Sequence, residues 1–564
     1  MAIHVTEIAS LFIIGIVFFL SHTQTSLSQG QNIDPEIRSK IDDFIQNTYL
    51  PATNTSTLGL AIIQNDGELL YSTGFGYADQ EKMIPNGNET QFLIGSITKS
   101  FTSTVVIKAL IEKFPDLGEK VLDTPIRKLI PLANFTLNDR FRSEHTTFRD
   151  LLSHRVCILQ DDLTLATEPF DSTEELTYRL RYADEACGFR SEFQYNNYLY
   201  AFAGRLIGLI SNRSYEDLVQ DLLVELGMFN SSFVKNSDDF SNMPYRAQPY
   251  YVMDNVSYVF NTELIKRIEV PKAAGGLFST PNDMARYLRF HLNLGLIDDK
   301  QVIPESIMRW MTKPSNALPV SSFKTSEEDR IVTLMAYGLG LVVASYDGWQ
   351  HVQHSGYFPP YSSFMSLFPE KKIGIFTSSN QSPALIDSGI IHTLVYDLLI
   401  GVNDASTKAL RHLEYKRKEH MQLIERRDEN VAKFLQKYAL TEKQDEDIFG
   451  NYGSGIAGDV EISERFNDQT NTTGIYMSYG RWGQAWLEHV GGVTYSVTWI
   501  SDIVQDLYAA GERNSTMHST INNGILEIFM PVGDTLSFMG RFELGVNLDT
   551  LPPIPWAPDS CGPE

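Results

Sequence analysis

Phe92-Leu93-Ile94-Gly95-Ser96-Ile97-Thr98-Lys99 is an apolar run that ends in a glycine and passes into a helical pattern. From Ser100 onward, Phe101, Val105, Val106, Ala109, Leu110 and Ile111 recur near helical spacing, which predicts a helix buried in the core. If that helix begins at Ser96, then Ser96 and Lys99 lie three residues apart on one face and the amine reaches the hydroxyl. Serine is a poor nucleophile at neutral pH, and an amine whose pKa is lowered by burial or nearby cations can take its proton. The pair therefore points to acyl transfer through serine. The competing use of Ser96 is as a helix N-cap. Spacing alone does not choose, because Ser232 to Lys235 and Ser321 to Lys324 repeat it. Context does: those two sit among turn-forming and acidic residues that read as solvated loops, and only Ser96 heads an apolar helix.

Two further stretches carry chemistry. Tyr195 and Asn197, in Phe193-Gln194-Tyr195-Asn196-Asn197, precede an apolar helix rich in small residues. A tyrosine beside a lysine loses its proton more easily and can act as a general base, while an amide offers donor and acceptor to lysine and substrate alike. Packing is the bland alternative for such an aromatic cluster. Downstream, Tyr337 to Val343, a Tyr346-Asp347-Gly348 turn and Trp349 to His354 read as a β-hairpin whose second strand ends in His354-Ser355-Gly356. Gly356 lets a substrate approach the backbone, the amide of Tyr357 can join that of Ser96 in an oxyanion hole, and His354 is expected to face the cleft. The alternative for His354 is a surface histidine at a strand end.

In this order the three elements resemble the serine β-lactamase and penicillin-binding-protein superfamily, most closely its class C-like branch. Thr147-Phe148-Arg149-Asp150-Leu151-Leu152-Ser153-His154 and Ala273-Ala274-Gly275-Gly276-Leu277-Phe278-Ser279-Thr280-Pro281 resemble further segments of that family, and the likeness runs over roughly residues 35 to 400. It implies Ser96 as the acylated nucleophile, Lys99 and Tyr195 as the proton-transfer pair and Asn197 as a positioning amide. His354 stands where many members carry lysine. A lysine is a permanent charge for a substrate carboxylate, whereas histidine is largely neutral near pH 7, so penicillin hydrolysis is expected to be weak or absent. Members with His-x-Gly resemble esterases and D-aminopeptidase-like enzymes, which makes an ester or a peptide or amide the expected small-molecule substrate. Cys157, where the family usually has glycine, and the bulky Tyr357-Phe358-Pro359-Pro360 are further departures.

The 564 residues allow more than one domain. A net charge of -24 argues against a nucleic-acid partner, whose phosphates need a basic surface. Residues 1–28 hold one apolar run, Leu11 to Leu20, too short to cross a bilayer comfortably and followed by small residues at Ser26-Leu27-Ser28. This reads as a secretory signal peptide, giving an extracellular protein with no membrane span after cleavage. The missing basic n-region leaves an uncleaved signal anchor as the alternative. Nine Asn-x-Ser/Thr sites, at Asn54, Asn88, Asn134, Asn212, Asn230, Asn255, Asn380, Asn471 and Asn514, would accept glycans in a eukaryotic secretory route, with Asn380 the least suited because Pro383 follows its Ser382. Of three cysteines, Cys157 and Cys187 are the expected disulfide in an oxidising compartment, against a pair of buried free thiols, and Cys561 remains single.

The expected fold class is α+β: an antiparallel sheet flanked by helices with a helical subdomain, the active site lying in the groove between them, over residues 29–405. Leu58 to Ile63, an Asn65-Asp66-Gly67 turn and Leu69 to Tyr71 form a hairpin expected in the same sheet as the strand ending at His354. Residues 406–444 mix charge with Leu410, Leu413, Met421, Ile424, Val431 and Leu435 at helical intervals and read as an amphipathic linker helix. Short alternating runs between 445 and 547 suggest a β-barrel, which resembles the lipocalin-like domain often appended to this family. A proline-rich tail fills 548–564. The sequence carries no metal-ligand cluster and no phosphate-binding glycine pattern, so no cofactor is inferred, and a homo-oligomer stays open. Two functional classes follow: a secreted serine hydrolase working through an acyl-enzyme, or a non-catalytic binding or scaffold protein that kept the fold. The combination Ser96, Lys99, Tyr195 and Asn197 favours the enzyme, since a binder needs no proton-transfer pair.

Overall fold

Leu58, Leu60 and Ile62 alternate with Gly59, Ala61 and Ile63, and every one of them is buried. A strand covered on both faces needs such a continuous apolar run, and it becomes the middle of the sheet. In the computed structural model this strand is β1 (Thr57–Gln64), and β2 (Glu68–Asp79) returns beside it. Then come β3 (Val332–Tyr337), β4 (Val342–Tyr346), β5 (Trp349–Phe358), β6 (Tyr361–Phe368) and β7 (Ile373–Ser379). The antiparallel order is β3-β4-β5-β6-β7-β1-β2, with two-residue segments pairing at both edges. The structure describes residues 32–551 except 66, 134, 161, 235, 254–255, 267, 269, 320–321, 324–331, 383–387, 440–446, 469, 501–503, 505–515 and 533–534. The signal peptide expected over 1–28, nearly all of the tail expected over 548–564, Asp66, Lys235, Ser321, Lys324, Asn134, Asn255, Asn514 and Cys561 lie outside the described residues.

Eight helices organise the rest of the argument: α1 (Pro35–Asp43), α2 (Thr98–Lys113), α3 (Asp162–Thr167), α4 (Asn197–Ser211), α5 (Tyr215–Leu226), α6 (Pro281–Leu292), α7 (Gly389–Leu399) and α8 (Ala405–Ala439). One sheet face packs on α6 and, beyond it, on the helical region built around α2, α4 and α5. The opposite face packs Leu58, Leu60, Ile62, Ile373 and Ile375 against α1 and α7. α2 is buried almost all round, so its hydroxyls need partners inside the core. Most have them: Ser100 Oγ donates to the Ile97 carbonyl at 2.8 Å, Thr104 Oγ1 to the Ser100 carbonyl at 2.8 Å and Thr102 Oγ1 to the Ala273 carbonyl at 2.6 Å.

Two sequence expectations about the hairpin need correction. The run from Tyr337 to Val343 is not one strand: β3 stops at Tyr337, and a turn over 338–341 leads into β4. Gly340, at φ +74°, sits where an added Cβ would lie 2.6 Å from the Lys99 carbonyl, so the turn rests on the start of α2. The second strand also does not end at His354-Ser355-Gly356 but continues to Phe358, paired with β6 throughout.

α8 carries the chain from α7 to a closed antiparallel barrel of eight strands: β8 (Gly450–Ser454), β9 (Gly458–Asn467), β10 (Thr472–Tyr479), β11 (Gly483–Gly491), β12 (Thr494–Trp499), β13 (Met517–Asn522), β14 (Ile525–Val532) and β15 (Thr535–Leu544). Each strand pairs with the next, and β15 closes on β8. Tyr452, Val460, Ile462, Met477, Leu487, Val497, Leu526, Ile528 and Phe542 fill the inside, the period-two pattern of inward residues that a small barrel requires.

Candidate active site

Ser96 sits in a 3₁₀ turn, Gly95–Ile97, that leads directly into α2. The helix thus starts two residues later than the sequence pattern suggests, and the tight turn still leaves Ser96 and Lys99 on one face. Lys99 is fully buried while Ser96 stays half-buried. Three acceptors surround the amine: Ser96 Oγ at 3.0 Å, Asn197 Oδ1 at 2.7 Å and the Ala274 carbonyl at 2.8 Å. Its Nζ also lies 4.7 Å from the ring centre of Tyr195 and 5.4 Å from that of Tyr200. The Tyr195 hydroxyl donates to Ser96 Oγ at 2.8 Å. The structure therefore brings Lys99 and Tyr195 onto the Ser96 oxygen and Asn197 onto the Lys99 amine.

Asn197 is held because it is the first residue of α4. The preceding Asn196 caps that helix through Oδ1, which accepts the Leu199 N–H at 3.1 Å. The Asn197 N–H goes to the side-chain oxygen of Gln160, and the Asn196 N–H goes to His154 Nδ1 at 3.0 Å. Nothing in the local pattern of sequence marked Gln160. In the sequence His154 is one residue of the Thr147 to His154 stretch and carries no role of its own.

β5 supplies the other wall. Tyr346 and Trp349 flank a two-residue turn, so they exchange both hydrogen bonds, and every second N–H from Trp349 points toward β4. β4 begins at Val342, opposite Gln353, and that is its end nearest the cleft side of β5. The N–H of Tyr357, of the same parity, therefore points past that end toward Gly95. The approach is close: a Cβ on Gly95, at φ +52°, would lie 2.5 Å from the Tyr357 nitrogen, and one on Gly356 would meet the Ile94 carbonyl at 1.9 Å. Both positions accept only glycine. The Tyr357 side chain is exposed at the rim.

His354 is buried beside Lys99 and is not a surface residue at a strand end. Its ring is buried, with Nε2 2.8 Å from the Tyr337 hydroxyl and Nδ1 2.6 Å from the Ser355 carbonyl. Nδ1–H donates to that carbonyl and Nε2 accepts from Tyr337, which fixes a neutral tautomer with both ring nitrogens engaged. Burial, reinforced by the Lys99 charge, lowers its pKa to about 4. His154, its ring centre 4.3 Å from that of Tyr195 and tilted to it, is held neutral by the same two causes, well below the usual histidine range.

The surrounding loop is tied down. Cys157 and Cys187 are joined, with their Cα atoms 5.0 Å apart. The buried carboxylate of Asp150 receives Arg155 at 2.5 Å and Arg190 at 2.7 Å. Ser232, the head of a competing Ser-x-x-Lys match, lies on a two-residue strand paired with Phe278, where no helical face exists. Among the described residues no group of three or more His, Cys, Asp or Glu side chains is arranged to hold a metal, and no helix is long and apolar enough to cross a membrane.

A family profile described as Beta-lactamase matches residues 41–391, more than half of the chain. The chain belongs to the β-lactamase family. It is 23% identical over 390 residues to an Unguisins hydrolase of Aspergillus campestris, covering 67% of each chain. It is also 23% identical over 460 residues to Beta-lactamase-like protein 1 of Dictyostelium discoideum, covering 66% of this chain and 71% of that one. The chain spans about two thirds of the length of the curated relatives it matches. Among solved structures, the octameric penicillin-binding protein homologue from Pyrococcus abyssi superposes with a TM-score of 0.54 at 22% identity, over 90% of this chain and 99% of that one. That last likeness concerns the fold. The expected class, an α+β unit with an antiparallel sheet and helices followed by a closed barrel, holds. The family belongs to the serine hydrolases.

Proposed function

We propose that the chain is a hydrolase that forms an acyl-enzyme on Ser96 from a small ester or amide. One observation carries this: Ser96 Oγ lies 3.0 Å from Lys99 Nζ and 2.8 Å from the Tyr195 hydroxyl. With Lys99 neutral, its two hydrogens go to Asn197 Oδ1 and the Ala274 carbonyl, and its lone pair faces the Ser96 O–H. Lys99 then takes the proton as Oγ attacks the substrate carbonyl. The oxyanion is received by the N–H groups of Ser96 and Tyr357, and Tyr195 passes a proton to the leaving oxygen or nitrogen as the acyl bond breaks. Water enters, and the same pair works in reverse to release the acid.

Substrate preference follows from charge. A neutral His354 offers no cation to a carboxylate on the substrate, so cephalosporins and penicillins are poor substrates beside short p-nitrophenyl esters and aminoacyl amides. A hydrolase among the relatives supports the reaction class. Secretion belongs to the same proposal, supported by the joined cysteines and by the exposure of Asn54, Asn212 and Asn471; Asn380 is buried with its amide spent on the Ala78 and Gln248 carbonyls and accepts no glycan. The test is intact-mass spectrometry after a fluorophosphonate. One adduct on the native chain and none on Ser96→Ala is expected. An unmodified native chain that also hydrolyses no ester or amide overturns the proposal in favour of a binding protein.

A further inference from the structure

α3 belongs by sequence to the catalytic unit, yet Leu163 lies in the apolar core of the barrel with Tyr452 and Tyr479. Thr164 Oγ1 is 2.7 Å from the Tyr479 hydroxyl, and the Thr167 carbonyl accepts the N–H of Arg481 at 2.8 Å and of Trp482 at 3.2 Å. Trp482 Nε1 donates to Glu168 at 2.9 Å, and Arg481 pairs with Asp171 at 3.0 Å. The fit is close: a Cβ on Gly480 would come within 2.5 Å of the Thr167 carbonyl oxygen. One short helix thus plugs the barrel and is gripped at its rim.

The other end of the same segment lies under the active site. The Ile158 carbonyl accepts from Asn196 Nδ2 at 3.2 Å, and Gln160 Oε1 accepts the N–H of Asn197. That N–H is one of the donors a helix leaves unpaired at its first turn, and the Asn196 cap already serves Leu199. Gln160 therefore fixes the residue whose side chain holds Lys99 Nζ at 2.7 Å.

We propose that the barrel is a positioning element for catalysis: it seats α3 and the residues that follow it to Asp171, and Gln160, two residues before α3, is the positioning residue through which that seat reaches Asn197 and Lys99. This rests on the reading of Ser96 and Lys99 given above. Without the Gln160 acceptor the first turn of α4 takes water instead, Asn197 loses its fixed place, and the amine loses one of the acceptors that aim its lone pair. Misplacing a catalytic group by about 1 Å costs up to about a hundredfold in rate.

The test uses the full chain and two readouts, the rate of fluorophosphonate labelling and the kcat and KM for a p-nitrophenyl ester. Gln160→Ala is expected to lower the labelling rate and kcat about tenfold with KM within about twofold, and Gln160→Glu, which keeps an acceptor oxygen, to recover most of the loss. Leu163→Ala, which empties the plug without touching the site, is expected to lower kcat about threefold. In the Gln160→Ala background that further loss is expected to shrink below about 1.5-fold, because both changes act through one segment. A folded Gln160→Ala that labels at the native rate overturns the proposal, and so does full additivity of the two changes. The Ser96→Ala chain separates the two levels: labelling or ester turnover that persists there overturns the Ser96 reading, whatever Gln160 does.

Discussion

The two cores of this molecule bury polarity on opposite terms. In the catalytic unit Lys99, His154, His291, His351, His354, His392 and Asp150 are all buried, most of them in defined hydrogen bonds. In the barrel the interior is mostly apolar, and Tyr479 reconciles its hydroxyl with the Ala457 carbonyl and Thr164. Burying an ionisable group costs stability that only pairing or function offsets. The difference therefore separates a unit organised around chemistry from one organised around shape, whose work is to hold a neighbouring segment.

The largest expected effect is on the catalytic side. Ser96→Ala removes the nucleophile and should lower ester turnover by about a thousandfold or more, measured against the native chain under single-turnover conditions. Tyr195→Phe keeps the ring beside Lys99 and deletes only the donor at 2.8 Å, so a loss of about a hundredfold to ten-thousandfold in kcat, with KM little changed, is expected. A Tyr195→Phe chain with native kcat would dissolve the contrast between the two cores, since the hydroxyl that meets Ser96 would then be ornamental.

Much of this was legible in the chain, and the limits are physical. Period 3.6 after Ser96 and period 2 in the barrel are local signals, and they located α2 and the barrel strands. The neutral, buried state of His354 depends on Tyr337, which meets it across an intervening strand, so no reading of His354-Ser355-Gly356 alone could supply that partner. The third acceptor of Lys99 is a main-chain carbonyl at Ala274, and side-chain identity says nothing about where a carbonyl points. Gln160 is invisible for the same reason: its partner is a backbone N–H.

Acid should then expose the catalytic unit first. Burial lowers the pKa of His291 and His351 to about 3 and of His354 to about 4, and holds His154 and His392 well below 6.5. Between these values and 6.5 the unfolded chain binds protons that the folded chain does not, so stability rises with pH through that window and is lost as pH falls below about 6.5. Each group adds up to about 1.4 kcal/mol per pH unit. Urea midpoints at pH 7 and pH 5 should differ clearly, the later one lower. Equal midpoints would mean that these rings ionise in place.

Reducing the Cys157–Cys187 bond, which closes a loop of 30 residues, should cost about 3–4 kcal/mol by the chain-entropy estimate. Because that loop carries Gln160 and leads to Tyr195, kcat should fall along with the urea midpoint when a reductant is added. A chain whose midpoint falls while kcat at low denaturant stays native would place the bond outside the site's support.

The smallest effect belongs to the barrel. Tyr495 is fully buried, and its hydroxyl has no hydrogen-bond partner among the described residues; directly across the strand pair, Ser519 Oγ is in the same condition. An unpaired hydroxyl in an apolar interior is a cost that deletion removes, whereas deleting a paired one adds a cost. Tyr495→Phe should therefore leave the thermal midpoint unchanged or raise it, by no more than about 1 kcal/mol of stability, with turnover native. Tyr479→Phe, which breaks bonds to both Ala457 and Thr164, should lower it. If Tyr495→Phe destabilises as much as Tyr479→Phe, the barrel interior holds an ordered polar partner for Tyr495, and the contrast between the two cores is one of degree.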